Sequence, residues 1–183
     1  MRLLSVVLIA GFLTACAADP AKVSTVAAEE AGRLAAPTRP LSGFASFELA
    51  PMVYADAIKS EEGKMEEATE FENAYKAKLE PLLDEWNASV QQDASGTLVV
   101  ESNLTGLKIV SGGARFWAGA FAGDSFIDMD LHLVDRDSGE QIANVRVYRD
   151  ADSMTGAWSV GKSDQNLDQY IVSIVETYLR DNY

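Results

Sequence analysis

One cysteine and one histidine stand in 183 residues. The single cysteine excludes an intrachain disulfide framework and any zinc site built on several thiolates. The single histidine excludes a two-histidine metal site. Basic residues are also scarce: 15 Lys and Arg face 28 Asp and Glu, a formal net charge of -13. Affinity for phosphate backbones rests on clustered Lys and Arg, so nucleic acid is not an expected partner. The same balance disfavours electrostatic docking onto anionic lipid. The small-residue stretch 112–123 lacks the terminal Gly-Lys-Ser or Gly-Lys-Thr of a phosphate loop and the Gly-x-Gly-x-x-Gly spacing, and no Gly-x-Ser-x-Gly nucleophile elbow occurs in the chain. What remains is an ordinary composition, 48% hydrophobic and 23% charged. It is too apolar for a disordered chain and fits one globular domain.

The most specific local pattern lies at the start. Met1-Arg2 precedes an apolar run from Leu3 to Leu13, the layout of a secretory signal peptide. The run is too short for a bilayer-spanning helix, which needs roughly 20 apolar residues. Leu13-Thr14-Ala15-Cys16 follows directly and resembles the lipobox of bacterial lipoproteins. In that family the chain is cleaved before the cysteine and the thiol receives a diacylglyceryl group. The rival reading is an ordinary cleavage site beside Ala15 and Ala17, which would leave a free thiol in an exported protein. The lipobox implies a protein tied to a membrane by lipid on Cys16 alone, because each buried acyl methylene contributes ~0.8 kcal/mol. Ala17, where an aspartate commonly retains such proteins in the inner membrane, implies the periplasmic face of the outer membrane. Cleavage of residues 1–15 removes Arg2 and leaves 14 basic against 28 acidic residues, a net charge of -14.

Three zones are expected: the signal peptide at 1–15, a lipidated N-terminus with a flexible tether at 16–42, and one domain at 43–183. The tether reading rests on an Ala-rich stretch with Gly32, Pro37 and Pro40, which leave room for only a short helix between 27 and 36. Such a tether reaches on the order of 25 to 30 Å. Within the domain, Phe44–Leu49 and Met52–Tyr54 read as a strand bent or edged at Pro51. Ala68, Phe71, Tyr75, Leu79, Leu82, Trp86 and Val90 form one helical stripe that keeps its phase through Pro81, which predicts a kink and not a break. Thr97–Asn103 reads as a strand that resumes through Leu107–Val110. Ile127, Met129, Leu131 and Leu133 alternate with polar residues, as in a half-buried strand. A turn over 135–139 leads to a partner strand over 141–149. Leu167, Tyr170, Ile171, Ile174, Val175, Tyr178 and Leu179 stripe a last helix, with Ser163 or Asp164 as its cap. The expected fold is a two-layer α+β domain: about four strands in a mainly antiparallel or mixed sheet, with two amphipathic helices on one face.

Three features could carry chemistry. Asp128, Asp130 and His132 share one face of a strand at ~7 Å spacing and are suitable metal ligands. A straight row does not converge on one ion, however, and Arg146 on the next strand is a natural partner for an aspartate. No metal and no cofactor is expected. The second feature is the small-residue stretch 112–123. It carries Phe116, Trp117 and Phe121, which are either core or a sticky contact surface for a partner. The third is a serine nucleophile, which would have only His132 as an imidazole base. Enzymatic activity is not expected.

From Gly112 onward the chain resembles a family of uncharacterised bacterial lipoproteins. The shared parts are the stretch 112–123, the strand from Ile127 to Leu133, the turn Val134-Asp135-Arg136-Asp137-Ser138-Gly139-Glu140, the strand from Ile142 to Tyr148 and the helix from Leu167 to Leu179. The arrangement is similar to the α/β domains of the curli-secretion lipoprotein and the N-terminal domain of TolB. That resemblance implies a binding or assembly factor of the cell envelope with an unknown protein partner, and it brings no catalytic residues. A small-ligand or divalent-metal-binding periplasmic domain centred on Asp128, Asp130 and His132 is the alternative.

Overall fold

The computed structural model describes residues 20–109, 125–150 and 167–183. Cys16, Phe116, Trp117, Phe121 and the expected caps Ser163 and Asp164 lie outside the described residues. The elements are α1 (Pro20–Ala31), a 3-10 turn (Leu41–Gly43), β1 (Ser46–Leu49), β2 (Val53–Tyr54), α2 (Asp56–Lys59), α3 (Glu62–Ala88), β3 (Thr97–Lys108), β4 (Phe126–Asp135), β5 (Gln141–Asp150) and α4 (Leu167–Asp181).

The sheet order is β1-β3-β4-β5, with β2 also paired to β3. β1 and β2 run parallel to β3, while β3, β4 and β5 are mutually antiparallel. The expected mixed α+β sheet is therefore present, and its fifth strand comes from the split of the first edge at Pro51. Leu49 aligns with Val100 and Val53 with Asn103, so Ala50, Pro51 and Met52 stand against only Glu101 and Ser102. Pro51 has no N–H to offer a ladder, and the extra residue bends the strand around it.

Alternation decides which face is covered. Ile127, Met129, Leu131 and Leu133 of β4 are all 0% exposed, and Val145 and Val147 of β5 lie on the same side. α3 and α4 pack on that side, α3 against β1 and β3 and α4 against β4 and β5. The predicted stripe of α3 is buried from Ala68 to Trp86, and the helix continues through Pro81. Val90 departs from the expectation: the helix ends at Ala88, and Val90 is 40% exposed. The whole predicted stripe of α4 is buried, joined by Val172. β3 runs unbroken over the stretch expected as two strands, with an irregularity between Leu104 and Gly106. Gly106 is needed there because a Cβ would stand 2.8 Å from the Phe126 ring.

The flexible-tether expectation does not hold for residues 20–42. α1 packs on α4 and buries Val23, Ala27 and Ala31, spaced at four-residue intervals. Arg149 of β5 is buried, contacts Glu30 of α1 at 3.1 Å and lies over the Tyr170 ring of α4 at 6.0 Å. Beyond α1 the chain is strapped down by hydrogen bonds. The Tyr178 hydroxyl donates to the Ala35 carbonyl at 2.9 Å, Thr38 N–H to Ile142 at 2.9 Å and Leu41 N–H to Asn182 at 2.8 Å. Two prolines and a glycine forbid a long helix here, yet each permits an ordered, non-helical strap.

The strap and the β4–β5 turn meet at Asp135. Its carboxylate accepts the Asp137 N–H at 2.9 Å and the Arg39 guanidinium at 2.7 Å, and Arg39 itself lies over the Phe44 ring at 4.2 Å. Burial alone would push the Asp135 carboxyl up. The Asp137 and Ser138 N–H groups, the Ser138 hydroxyl and the Arg39 charge outweigh it and hold the group below its ordinary value. A carboxyl whose folded value lies below its unfolded one contributes stability above the unfolded value, near pH 4. That contribution is lost as pH falls through the folded value. Urea titrations between about pH 3 and 7 are therefore expected to show a loss of stability toward acid in the native chain. Asp135→Asn should flatten that loss while lowering stability at neutral pH; an unchanged acid slope would rule the role out.

Candidate functional site

Two surfaces have the features of a site. The first is the face of the sheet that no described helix covers. Asp128, Asp130 and His132 do share it, as alternation requires, and each is partly exposed. Their cross-strand neighbours are set by register: His132 lies opposite Glu101 and Asn144, and Asp130 opposite Asn103 and Arg146.

Arg146 does not take its direct neighbour. Its Nε and one terminal nitrogen donate to the two oxygens of Asp128, each at 2.7 Å, a bidentate pair one step along the ladder. Its guanidinium also lies 5.5 Å from the centre of the Tyr148 ring. Asp128 is thus engaged by a cation, and among the described residues no group of three His, Cys, Asp or Glu side chains converges as a metal site. The arginine partner expected from the sequence is found, although on Asp128 and by a diagonal path.

His132 sits on this open face, whereas Ser102 is 2% exposed on the covered side, where its hydroxyl pairs with that of Tyr75 at 2.7 Å. Alternation along neighbouring strands therefore separates this serine from the imidazole by the thickness of the sheet. What the open face offers is contact: carboxylates, amides, ion pairs and the exposed Val53 and Tyr148, 57% and 47% accessible.

The second surface is a cleft of about 270 Å³ at the end of the sheet, lined by Glu67, Glu70, Phe71, Leu107, Ile109, Ile127 and Asp168. Phe71, Leu107 and Ile127 form an apolar floor, each nearly inaccessible. Burial pushes the Asp168 carboxyl above its ordinary value, although the N–H groups of Gln169 and Asp168 itself oppose it. Burial also pushes up Glu67, against a hydrogen bond from the Ile109 backbone, with Glu70 adding repulsion. Carboxylates that ionise reluctantly above an apolar floor can hold a cationic head on an apolar stem. Sequence inspection missed this cleft because its walls come from α3, β3, β4 and α4. The one local hint was the crowd of glutamates on α3, which also reads as a favourable charge near a helix N-terminus.

No family model matches the chain, and no curated protein matches it. Among solved structures it is similar to the PelC dodecamer from Paraburkholderia phytofirmans, at a TM-score of 0.44 and 14% identity, covering 79% of this chain and 96% of that one. A variant of the same protein gives 0.44 at 10% identity, over 80% and 95%. A protein of family DUF330 from Xanthomonas campestris, XCC0632, gives 0.38 at 10% identity, over 81% and 92%. Likenesses this distant assign no function to the chain.

Proposed function

We propose that this chain is a lipid-anchored, non-enzymatic binding factor of the bacterial envelope. It is held through Cys16 at the periplasmic face of the outer membrane and acts through the open face of its sheet on an envelope protein. The observation that carries the reading is the tetrapeptide Leu13-Thr14-Ala15-Cys16 directly after a short apolar run. Among the described residues no helix is long and apolar enough to cross a membrane. Phe116, Trp117 and Phe121, outside the described residues, are proposed as a further contact surface for that partner.

The docking of α1 changes the geometry of this anchor. Only residues 17–19 separate Cys16 from the start of α1 at Pro20. Four Cα steps span at most ~15 Å, so the folded body is held close to the bilayer and not at the end of a long leash.

Mass spectrometry of the N-terminal peptide from the native host tests the anchor. The expected species begins at Cys16 and carries a diacylglyceryl thioether, and Cys16→Ser should shift the protein out of the membrane fraction. An N-terminal peptide with a bare thiol would overturn the assignment.

A further inference from the structure

The two edges of the sheet are treated in opposite ways. On the β1/β2 side several devices that block strand addition are present. The strand is split at Pro51, and the Asn87 side chain accepts the Phe47 N–H at 2.8 Å and donates to the Phe47 carbonyl at 2.9 Å. Glu72 faces the Met52 N–H at 3.5 Å. On the β5 side the irregularity in the ladder lies at its start, beside Ile142, and among the described residues none of these devices meets Asn144 to Tyr148.

Which β5 groups face outward follows from two hydrogen bonds at the end of β4. Asp135 N–H donates to Glu140 and Arg136 N–H to Thr97, both at 2.9 Å. Odd-numbered residues of β4 therefore bond toward β5 and even-numbered ones toward β3. Leu131 aligns with Val145 and Met129 with Val147, so the backbone groups of Asn144, Arg146 and Tyr148 point away from the sheet. Among the described residues no backbone hydrogen bond reaches these three from outside the sheet. The Ile142 carbonyl, at the start of the edge, is already taken by the Thr38 N–H. Only β4 and α4, among the described elements, pack closely on β5. The strand runs for ten residues without glycine or proline. Its one exposed edge cation, Arg146, is neutralised by Asp128 and so does not repel an incoming strand.

We propose that the β5 edge pairs antiparallel with the β5 edge of a second copy of this chain, joining two sheets into one across a two-fold axis near Val147. In that register Arg146 of each copy lies opposite Tyr148 of the other, which extends across the interface the cation–ring contact already made within the chain. A two-fold one residue earlier would set Arg146 against its own copy and need the Ile142 carbonyl that Thr38 occupies. The same patch serves both partners, as a closed dimer requires. The inference uses only residues 38–150 and stands whether or not Cys16 is lipidated.

Sedimentation of the full-length protein in density-matched detergent tests it. The native chain is expected as a dimer. Tyr148→Pro removes an outward N–H that no described residue uses, so the described fold should stay intact while the dimer weakens by about tenfold or more. Tyr148→Lys leaves the backbone untouched and sets a second cation opposite Arg146, and it should weaken the dimer in the same direction. Val53→Lys, on the blocked edge, should change nothing. A monomer at about 100 μM, or a dimer that neither Tyr148 variant weakens, would overturn the proposal. So would a photo-cross-linker at position 148 that joins the chain only to a different protein.

Discussion

Truncating Trp86 to alanine is expected to cost about 4 kcal/mol of folding stability, the range for removing a buried aromatic side chain and leaving a cavity. The indole is 3% exposed and holds three distant parts of the chain together. It meets Phe47 of β1 edge-on at 5.2 Å and stacks on Tyr183, the last residue, at 4.2 Å. Phe47 and Tyr183 are themselves 5.8 Å apart, so the three rings form one cluster. No single neighbour can relax into the space, because β1 is fixed by its ladder to β3 and by Asn87, and Tyr183 follows directly from α4. Urea unfolding of Trp86→Ala should show a lower midpoint with little change in slope. Trp86→Phe, which keeps a ring, should recover much of the loss. A cost below about 1 kcal/mol, the ordinary range for a surface change, would show that the cluster does not bear on stability.

The second large effect concerns α1. Ala27 is 0% exposed where this helix meets α4, so Ala27→Asp would bury a carboxylate in that contact. An unpaired buried charge costs several kcal/mol. That exceeds what a twelve-residue helix held by Val23, Ala27, Ala31 and one ion pair can contribute. The helix should therefore leave the body while the sheet, α3 and α4 stay folded. Hydrogen exchange should show protection lost over residues 20–31 and retained in β3 and β4, and trypsin should gain access at Arg33. Global unfolding, or protection of α1 unchanged, would contradict this division of the chain. In the lipidated protein the same substitution would restore the long leash that α1 otherwise removes.

These two sites differ in how plainly the sequence announced them. Trp86 was legible: it sits on a stripe at three- and four-residue steps that keeps its phase for most of α3, and such a stripe has few outcomes other than burial. The strands β4 and β5 were legible for the same reason, since strict alternation assigns one face to the core. α1 was not. Val23, Ala27 and Ala31 are small, their combined apolar area is modest, and the prolines and glycine that follow resemble a linker. Only the exposed flank of α4 makes that short row a contact surface.

The chemistry divides along the same line. The sequence placed Asp128, Asp130 and His132 on one face and named Arg146 as a partner, because period and register are local. It could not say that Arg146 reaches Asp128 and passes over Asp130, since that choice depends on sheet twist and on the ring of Tyr148. The acidic cleft was equally out of reach.

Taken by itself, the sequence determined where helices and strands form, which side of each is apolar, and the single thiol on which an anchor can be built. These follow from spacing along the chain, where neighbouring residues fix the outcome. Tertiary structure alone decided which apolar flank receives α1 and which sheet edge is closed by Pro51 and Asn87. Those outcomes rest on contacts between segments far apart in the chain, and their energies exist only once the surfaces have met.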